Sequence, residues 1–315
     1  MTRALPRTMR AATVDRRGVV SIREMPVPSV GRREVLIAID TAGVGSWDAS
    51  QRAEESGTPL VPGTDGAGVV AAVGSRIRRF RIGDRVYSYS YGNRKSGFHA
   101  EYVAVEAKKV ARVPKGLDLK RAGAIATTGL TALQGVDDAL RVKKRESVIV
   151  HGASGGVGSL ALQFAKLRGA RVLATASGRD GRALVRRLGA DAAVDGKRED
   201  VLAAARRFAP AGIDAVLALV GGKSLARCLD ALKPRGSRLA YPNGVEPRPR
   251  KRRGVKTTTY DGTPGVEEFE RLNRAVEAAN LKVPIAKTYS LARAAAAYAL
   301  AEKGHVLGKV VLRIR

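Results

Sequence analysis

The chain has 315 residues, 44% of them apolar and 27% charged, and 57 Lys plus Arg against 29 Asp plus Glu give it a formal net charge of +28. That length exceeds one ordinary core, so two domains are expected, and no apolar run reaches the roughly 18–20 residues that span a bilayer. With Cys228 as the one cysteine, internal disulfides and cysteine-cluster metal sites are excluded, and a reducing cytoplasm fits the composition.

The N-terminal stretch MTRALPRTMRAATV carries Arg3, Arg7 and Arg10 without an apolar centre, so it does not read as a secretory signal. EVLIAIDTAGVG (34–45), GAGVVAAVGS (66–75), RIGDRVYSYSYG (81–92) and FHAEYVAVEAKKVARVP (98–114) predict short strands, the pattern of a partly open barrel. From about 121 the texture changes to two helical pieces. Strands at 147–151, 171–175, 191–194, 213–220 and 236–240 then alternate with helices at 159–168, 181–188, 199–208 and 223–232. Such alternation implies a parallel sheet with right-handed crossovers. The densest basic run, EPRPRKRRGVK (246–256), reads as an exposed loop. It contains no aromatic residue, which argues against nucleic acid as the main partner despite the charge. The final GKVVLRIR predicts a strand able to return to the first domain.

The segment HGASGGVG (151–158) lies between the continuous apolar strand SVIVH and a helix with Leu160, Phe164 and Leu167 on one face. Gly152, Gly155 and Gly158 recur every third residue. A glycine turn between strand and helix, at the head of a βαβ series, lets backbone amides approach a pyrophosphate at the positive end of the helix. An NAD site would end the next strand on an acid, but RVLATA is followed by Ser177, with Arg179 and Arg182 close behind. A small hydroxyl near two arginines suits the 2′-phosphate of NADPH. Asp180, in the same turn, reads either as a helix-cap residue or as a ribose clamp.

Taken together, PGTDGAGVVAAVG, FRIGDRVYS, FHAEYVAV, TTGLTAL, VHGASGGVGSLALQFAK, LGAD and GHVLGKVVL make the chain similar to the medium-chain dehydrogenase/reductase superfamily, most of all its zinc-free quinone oxidoreductase (zeta-crystallin-like) branch. The resemblance runs nearly end to end and implies an α/β fold: a GroES-like barrel (1–120 plus 288–315) joined to a Rossmann domain (121–287). It also implies a likeness to homodimers, and hydride transfer from NADPH to a quinone or α,β-unsaturated carbonyl. A member that kept the fold but bound RNA or protein is the alternative. Zinc-dependent relatives carry ligands where this chain has Gly45 and Thr64, so no metal is expected; His99, His151 and His305 read as structural.

By the same resemblance, Thr131, Ser154, Gly155, Gly156, Val157, Gly158, Ser177, Gly221 and Lys309 are cofactor contacts, joined by Arg179 and Arg182. Substrate candidates are Gly45, Trp47, Tyr89, Tyr91 and Tyr260. A strand would put Tyr87, Tyr89 and Tyr91 on one face, as hydrogen-bond donors or as a packing stripe. Trp47 reads as a pocket or a core residue. The chain departs from the family at Gly45, where an Asn is common, at Gly196, where a Tyr is common, and at Gly181, where a basic residue is usual. No residue is assigned as catalytic at this stage.

Overall fold

The computed structural model of the chain describes residues 5–51, 60–93 and 95–315. Arg3, part of the N-terminal reading, lies outside them. In chain order the strands and helices begin with β1 (Thr8–Val14), β2 (Val20–Pro26), β3 (Glu34–Val44), α1 (Ser46–Ala49), β4 (Asp65–Val73), β5 (Arg85–Tyr89), β6 (Tyr102–Glu106) and β7 (Val110–Arg112). Next come α2 (Leu119–Ala122), α3 (Ala126–Gln134), β8 (Ser147–His151), α4 (Gly156–Leu167), β9 (Arg171–Thr175), α5 (Gly178–Arg187) and β10 (Ala192–Val194). The series continues with α6 (Val201–Phe208), β11 (Ala215–Ala218), α7 (Lys223–Asp230), β12 (Ser237–Pro242) and β13 (Val255–Tyr260). Last are α8 (Val266–Ala279), β14 (Ile285–Ser290), α9 (Ala294–Lys303) and β15 (Lys309–Arg313).

Two compact units result. One comprises the chain up to Thr127 with Pro264–Asn273 and Ile285–Arg315; the other comprises Thr128–Thr263 and Arg274–Pro284. Residues 121–127 and Pro264–Asn273 thus pack with the first unit rather than with the segment 121–287.

In the first unit a mainly antiparallel sheet runs β14-β15-β3-β4-β5-β7, with β6 paired to β3, and β1 and β2 form a hairpin. The C-terminal strand does return: β15 pairs with β3 from Val310↔Val44 to Arg313↔Thr41. Alternation along β3 sends Val35, Ile37 and Ile39 into one apolar cluster with Val70, Val103 and Leu312. The strand expected over 81–92 is shorter than its alternation suggested. β5 stops at Tyr89, and Tyr91 lies in a turn, 65% exposed.

The second unit holds a parallel sheet in the order β10-β9-β8-β11-β12-β13. Its central strand β8 is buried along its whole length, which explains its unbroken run of apolar residues. The order reverses between β8 and β11, and in open α/β sheets ligands bind beyond the strand ends at such a switch point. Part of the basic run expected as a loop is a strand: Val255 and Lys256 open β13, paired with Ser237 and Arg238 of β12.

Candidate functional site

The glycine turn stands at the switch point of the second unit. Gly152 has φ 82°, a conformation that strains any residue with a side chain. A Cβ at Gly158 would overlap the Gly152 carbonyl oxygen and stand 2.7 Å from Ala153 Cα, so glycine is what lets α4 start against the turn. At Gly155 a Cβ would meet only Gly152 O, at 3.6 Å. Gly155 caps α4 without a side-chain bond, which leaves the first-turn amides for an outside acceptor. Ser154, Gly155, Gly156 and Val157 are partly exposed in one run.

Thr175 anchors the turn from β9. Its Oγ1 accepts from Gly152 N–H at 3.0 Å and lies 2.8 Å from His151 Nδ1, while Ala153 N–H donates to its carbonyl at 2.9 Å. The hydroxyl thus ties the turn to the His151 ring. Burial lowers the His151 pKa to about 4, and it is neutral. Cys228 Sγ lies 3.6 Å from the same nitrogen, its thiol pushed up to about 12 by burial.

At the end of β9, Ser177 is the half-buried N-cap of α5, Arg179 is exposed and Asp180 is an exposed first-turn residue. Arg182 Nη1 bonds Glu199 Oε2 at 3.2 Å. The buried acid here is Asp195, just past β10, whose carboxylate accepts Gly178 N–H at 2.8 Å and Lys197 N–H at 3.0 Å. Desolvation opposes its ionisation, but the backbone donors outweigh it and hold the carboxyl below its ordinary pKa. Asp195 pins the first turn of α5, a role that sequence reasoning missed. Its position just after β10 was the available signal.

Gly221 lies under the chain at 246–247: a Cβ there would overlap Pro247 O and stand 2.6 Å from Glu246 O. Its bareness serves that close approach. Thr131, in α3, accepts through its backbone oxygen the Tyr260 hydroxyl proton at 3.0 Å. Two expected site residues thus meet, but the phenol proton of Tyr260 is already committed, and burial holds its pKa well above the ordinary tyrosine value.

In the first unit a polar cluster surrounds Gly45 and Thr64. A Cβ at Gly45 would overlap Cε2 and Cζ2 of Trp47 and stand 2.6 Å from Cδ2. The indole has folded back over Gly45, and its Nε1–H donates to Thr64 Oγ1 at 3.0 Å. Gly45 and Thr64 are thus bridged by one tryptophan. Lys309 Nζ sits 4.7 Å from the indole centroid, and Lys309 is only 5% exposed. Asp48 Oδ2 accepts Gly45 N–H at 2.7 Å, and Asp65 Oδ2 accepts Thr127 N–H at 2.9 Å.

His99 joins the cluster through Gly43. Its Nε2 lies 2.9 Å from Gly43 O, and Nδ1 lies 2.6 Å from Tyr298 OH. A carbonyl only accepts, so Nε2 carries the proton and the phenol donates to Nδ1. Burial lowers the pKa of His99 to about 4. Tyr89, half-buried, ends β5 opposite Asp65. Tyr87 turns into the core instead, donating to Asn273 Oδ1 at 2.7 Å and meeting Phe269 edge-on. The three tyrosines therefore form no common stripe. Among the described residues no three His, Cys, Asp or Glu gather as a metal site, and no helix is long and apolar enough to cross a membrane.

A parallel sheet with a glycine turn at its switch point, in one chain with a small antiparallel barrel, defines a dinucleotide-binding oxidoreductase. Residues 31–115 match the alcohol dehydrogenase GroES-like domain, and residues 188–312 match the zinc-binding dehydrogenase family. The chain is 32% identical to a quinone oxidoreductase of Lama guanicoe, over 98% of each chain. It is 31% identical to a chloroplastic NADPH-dependent alkenal/one oxidoreductase of Arabidopsis thaliana, over 98% of this chain and 80% of the other. A solved NAD-dependent alcohol dehydrogenase superposes with a TM-score of 0.88 at 30% identity, over 98% of this chain and 100% of that one. The chain belongs to the medium-chain dehydrogenase/reductase superfamily, in its quinone oxidoreductase family.

Proposed function

We propose that the protein is a zinc-independent, NADPH-dependent reductase of quinones or α,β-unsaturated carbonyls. The observation that carries this reading is the Trp47 indole lying over Gly45 and bonded to Thr64. It fills with carbon the space that a metal-ligand side chain at 45 would need. Quinones and enones suit such a site because their conjugated carbonyl is already electrophilic and needs only hydrogen-bond or cationic stabilisation as charge develops. The names of the mammalian and plant relatives support the same substrate class.

The residues present fit a dinucleotide. The amides of Gly156, Val157 and Gly158 would hold the pyrophosphate at the start of α4, and the space above Gly155 is open to it. Bound there, the dinucleotide supplies a hydride. Ser177 at the end of β9 puts no charge against a 2′-phosphate, and Arg179 and Arg182 supply positive charge beside it. Asp180 is exposed in the first turn of α5, where an acid complements the helix dipole. Thr131 and Gly221 remain candidates for the nicotinamide end, and Trp47, Gly45 and Tyr89 for the substrate.

The test is turnover of a panel of quinones and enones with NADPH and with NADH. Reduction of several conjugated acceptors with NADPH, and of simple ketones with neither cofactor, is expected. Reduction of unconjugated ketones or oxidation of simple alcohols would overturn the reading.

A further inference from the structure

The cluster in the first unit holds more charge than its hydrogen bonds account for. Asp48 and Asp65 are fully buried and Lys309 nearly so. Asp48 Oδ1, Asp65 Oδ1 and Lys309 Nζ have no hydrogen-bond partner. Asp65 and Lys309 meet beside Gly43: the point where its Cβ would stand is 2.5 Å from Asp65 Oδ1 and 2.9 Å from Lys309 Cε. The groups facing Asp48 are Lys309 from β15, Asp65 from β4 and Tyr298 from α9, with His99 behind Tyr298.

The charges can be counted. His99 is neutral by its bonding pattern, and Tyr298 is a phenol that donates to it. Two carboxyl groups then share one ammonium. An uncompensated charge in such a place is expensive, so one carboxyl must carry a proton. Asp65 already accepts from Thr127 N–H, and its free oxygen lies beside the Lys309 stem. Thr127 N–H and the nearby Lys309 thus provide for a carboxylate at Asp65. The proton falls on Asp48, at Oδ1.

We propose that Asp48 is kept as a neutral carboxylic acid and that Asp48 and Lys309 together supply the proton of the reduction. This rests on the reductase reading above. Reduction adds a hydride and a proton; the hydride brings both electrons to the conjugated carbon. The substrate oxygen that gains charge takes its proton from Lys309: an Nζ–H bond breaks and an O–H bond forms. The neutral amine then takes the Asp48 proton through one bridging water, which passes one proton on as it accepts another, and solvent later reprotonates Asp48. Trp47 positions the ammonium through its ring face, 4.7 Å from Nζ. Asp48 acts through Lys309, as a proton-holding residue. Its pKa is raised to about 7, by burial above all and against the pull of Lys309, which suits exchange near neutrality.

Two measurements test this. The first is infrared titration of the protein without cofactor or substrate, followed at the carbonyl stretch of a protonated carboxylic acid. A band should vanish with a midpoint near pH 7. It should be absent in Asp48→Asn, shifted to lower pH in Asp65→Asn, which removes the competing carboxylate, and shifted to higher pH in Lys309→Met, which removes the nearby positive charge. The second is the pH profile of kcat with NADPH and an accepted quinone or enone. In the wild type it should fall about tenfold per pH unit above pH 7; Asp48→Asn should be slower and flat across that range. The absence of a titrating band in the wild type, or a pH profile unchanged in Asp48→Asn, overturns the proposal. If the band titrates as expected but no acceptor is reduced by the wild type, the reductase reading fails instead, and the proton loses its proposed destination.

Discussion

Gly45→Ala tests the indole seat most directly. Gly45 has φ −109° and ψ 164°, extended backbone that alanine adopts freely, so the cost is steric. The added methyl would stand 2.6 Å from Trp47 Cδ2 and overlap two further ring atoms, so the ring must leave. Expulsion loses the Nε1–H bond to Thr64, worth about 1 kcal/mol. It also loses the face under Lys309, worth about 0.5–2 kcal/mol. The ring moves as one body and loses both together, so an overall destabilisation of about 1.5–3 kcal/mol is expected. Trp47 is the chain's one tryptophan, so its emission reports on this seat without interference. Urea unfolding followed by circular dichroism gives the stability, and the emission maximum, moving to the red, gives the environment. Trp47→Leu already lacks both contacts, so adding Gly45→Ala to it should cost little more. A Gly45→Ala protein within about 0.5 kcal/mol of the wild type, with unchanged emission, would refute the overlap argument and with it the claim that the indole fills the ligand position.

Four other outcomes are expected. Purified protein should carry no stoichiometric zinc by elemental analysis, and turnover should survive chelators; one zinc per chain, needed for activity, would contradict this. Gly158→Ala should cost about 1–3 kcal/mol in urea unfolding because its Cβ meets backbone, whereas Gly155→Ala, with 3.6 Å of clearance, should fold normally. A charge-assisted bond contributes about 1.5–3 kcal/mol and each 1.36 kcal/mol is tenfold, so Arg179→Ala with Arg182→Ala should cut NADPH affinity by roughly ten- to thousandfold and leave NADH affinity nearly unchanged by calorimetry. Arg179→Ala alone should account for most of that, because Arg182 is already paired with Glu199; equal wild-type affinity for the two cofactors would instead make Asp180 the ribose clamp. Finally, His99 and His151 have folded pKa values near 4, below the ordinary 6.5, so their stabilisation is complete above pH 6.5 and is lost as pH falls toward 4. His151→Asn should shrink that acid loss in thermal melts. Asp48 has the opposite sign, its contribution fading as pH rises from 3.8 through about 7.

Much of the second unit is written in local sequence. The strands expected at 147–151 and 171–175 coincide with β8 and β9. An apolar run buried on both faces, followed by glycines that alone tolerate positive φ and close backbone approach, needs no distant partner to be recognised. The exclusion of cysteine-based metal sites is equally local, because it follows from residue type alone. Strand β13 was hidden for the opposite reason. VKTTTY is polar and only partly buried, and it is a strand because β12 offers it a ladder. The tyrosines misled because alternation in sequence implied a strand through Tyr91, whereas the last pairing to β4 is Asp65↔Tyr89.

The cluster around Gly43 belongs wholly to the tertiary structure. Asp48, Asp65, His99, Tyr298 and Lys309 lie on five segments up to 261 residues apart, counted from 48 to 309. The pairing of β15 with β3 brings the last of them to the first. No spacing rule marks them, since each is an ordinary polar residue in its own segment. Their chemistry comes from shared burial, which forbids uncompensated charge and so decides which groups hold protons. Sequence alone fixes which ionisable groups the chain contains. Only the fold, by removing water from them together, sets the charges they carry.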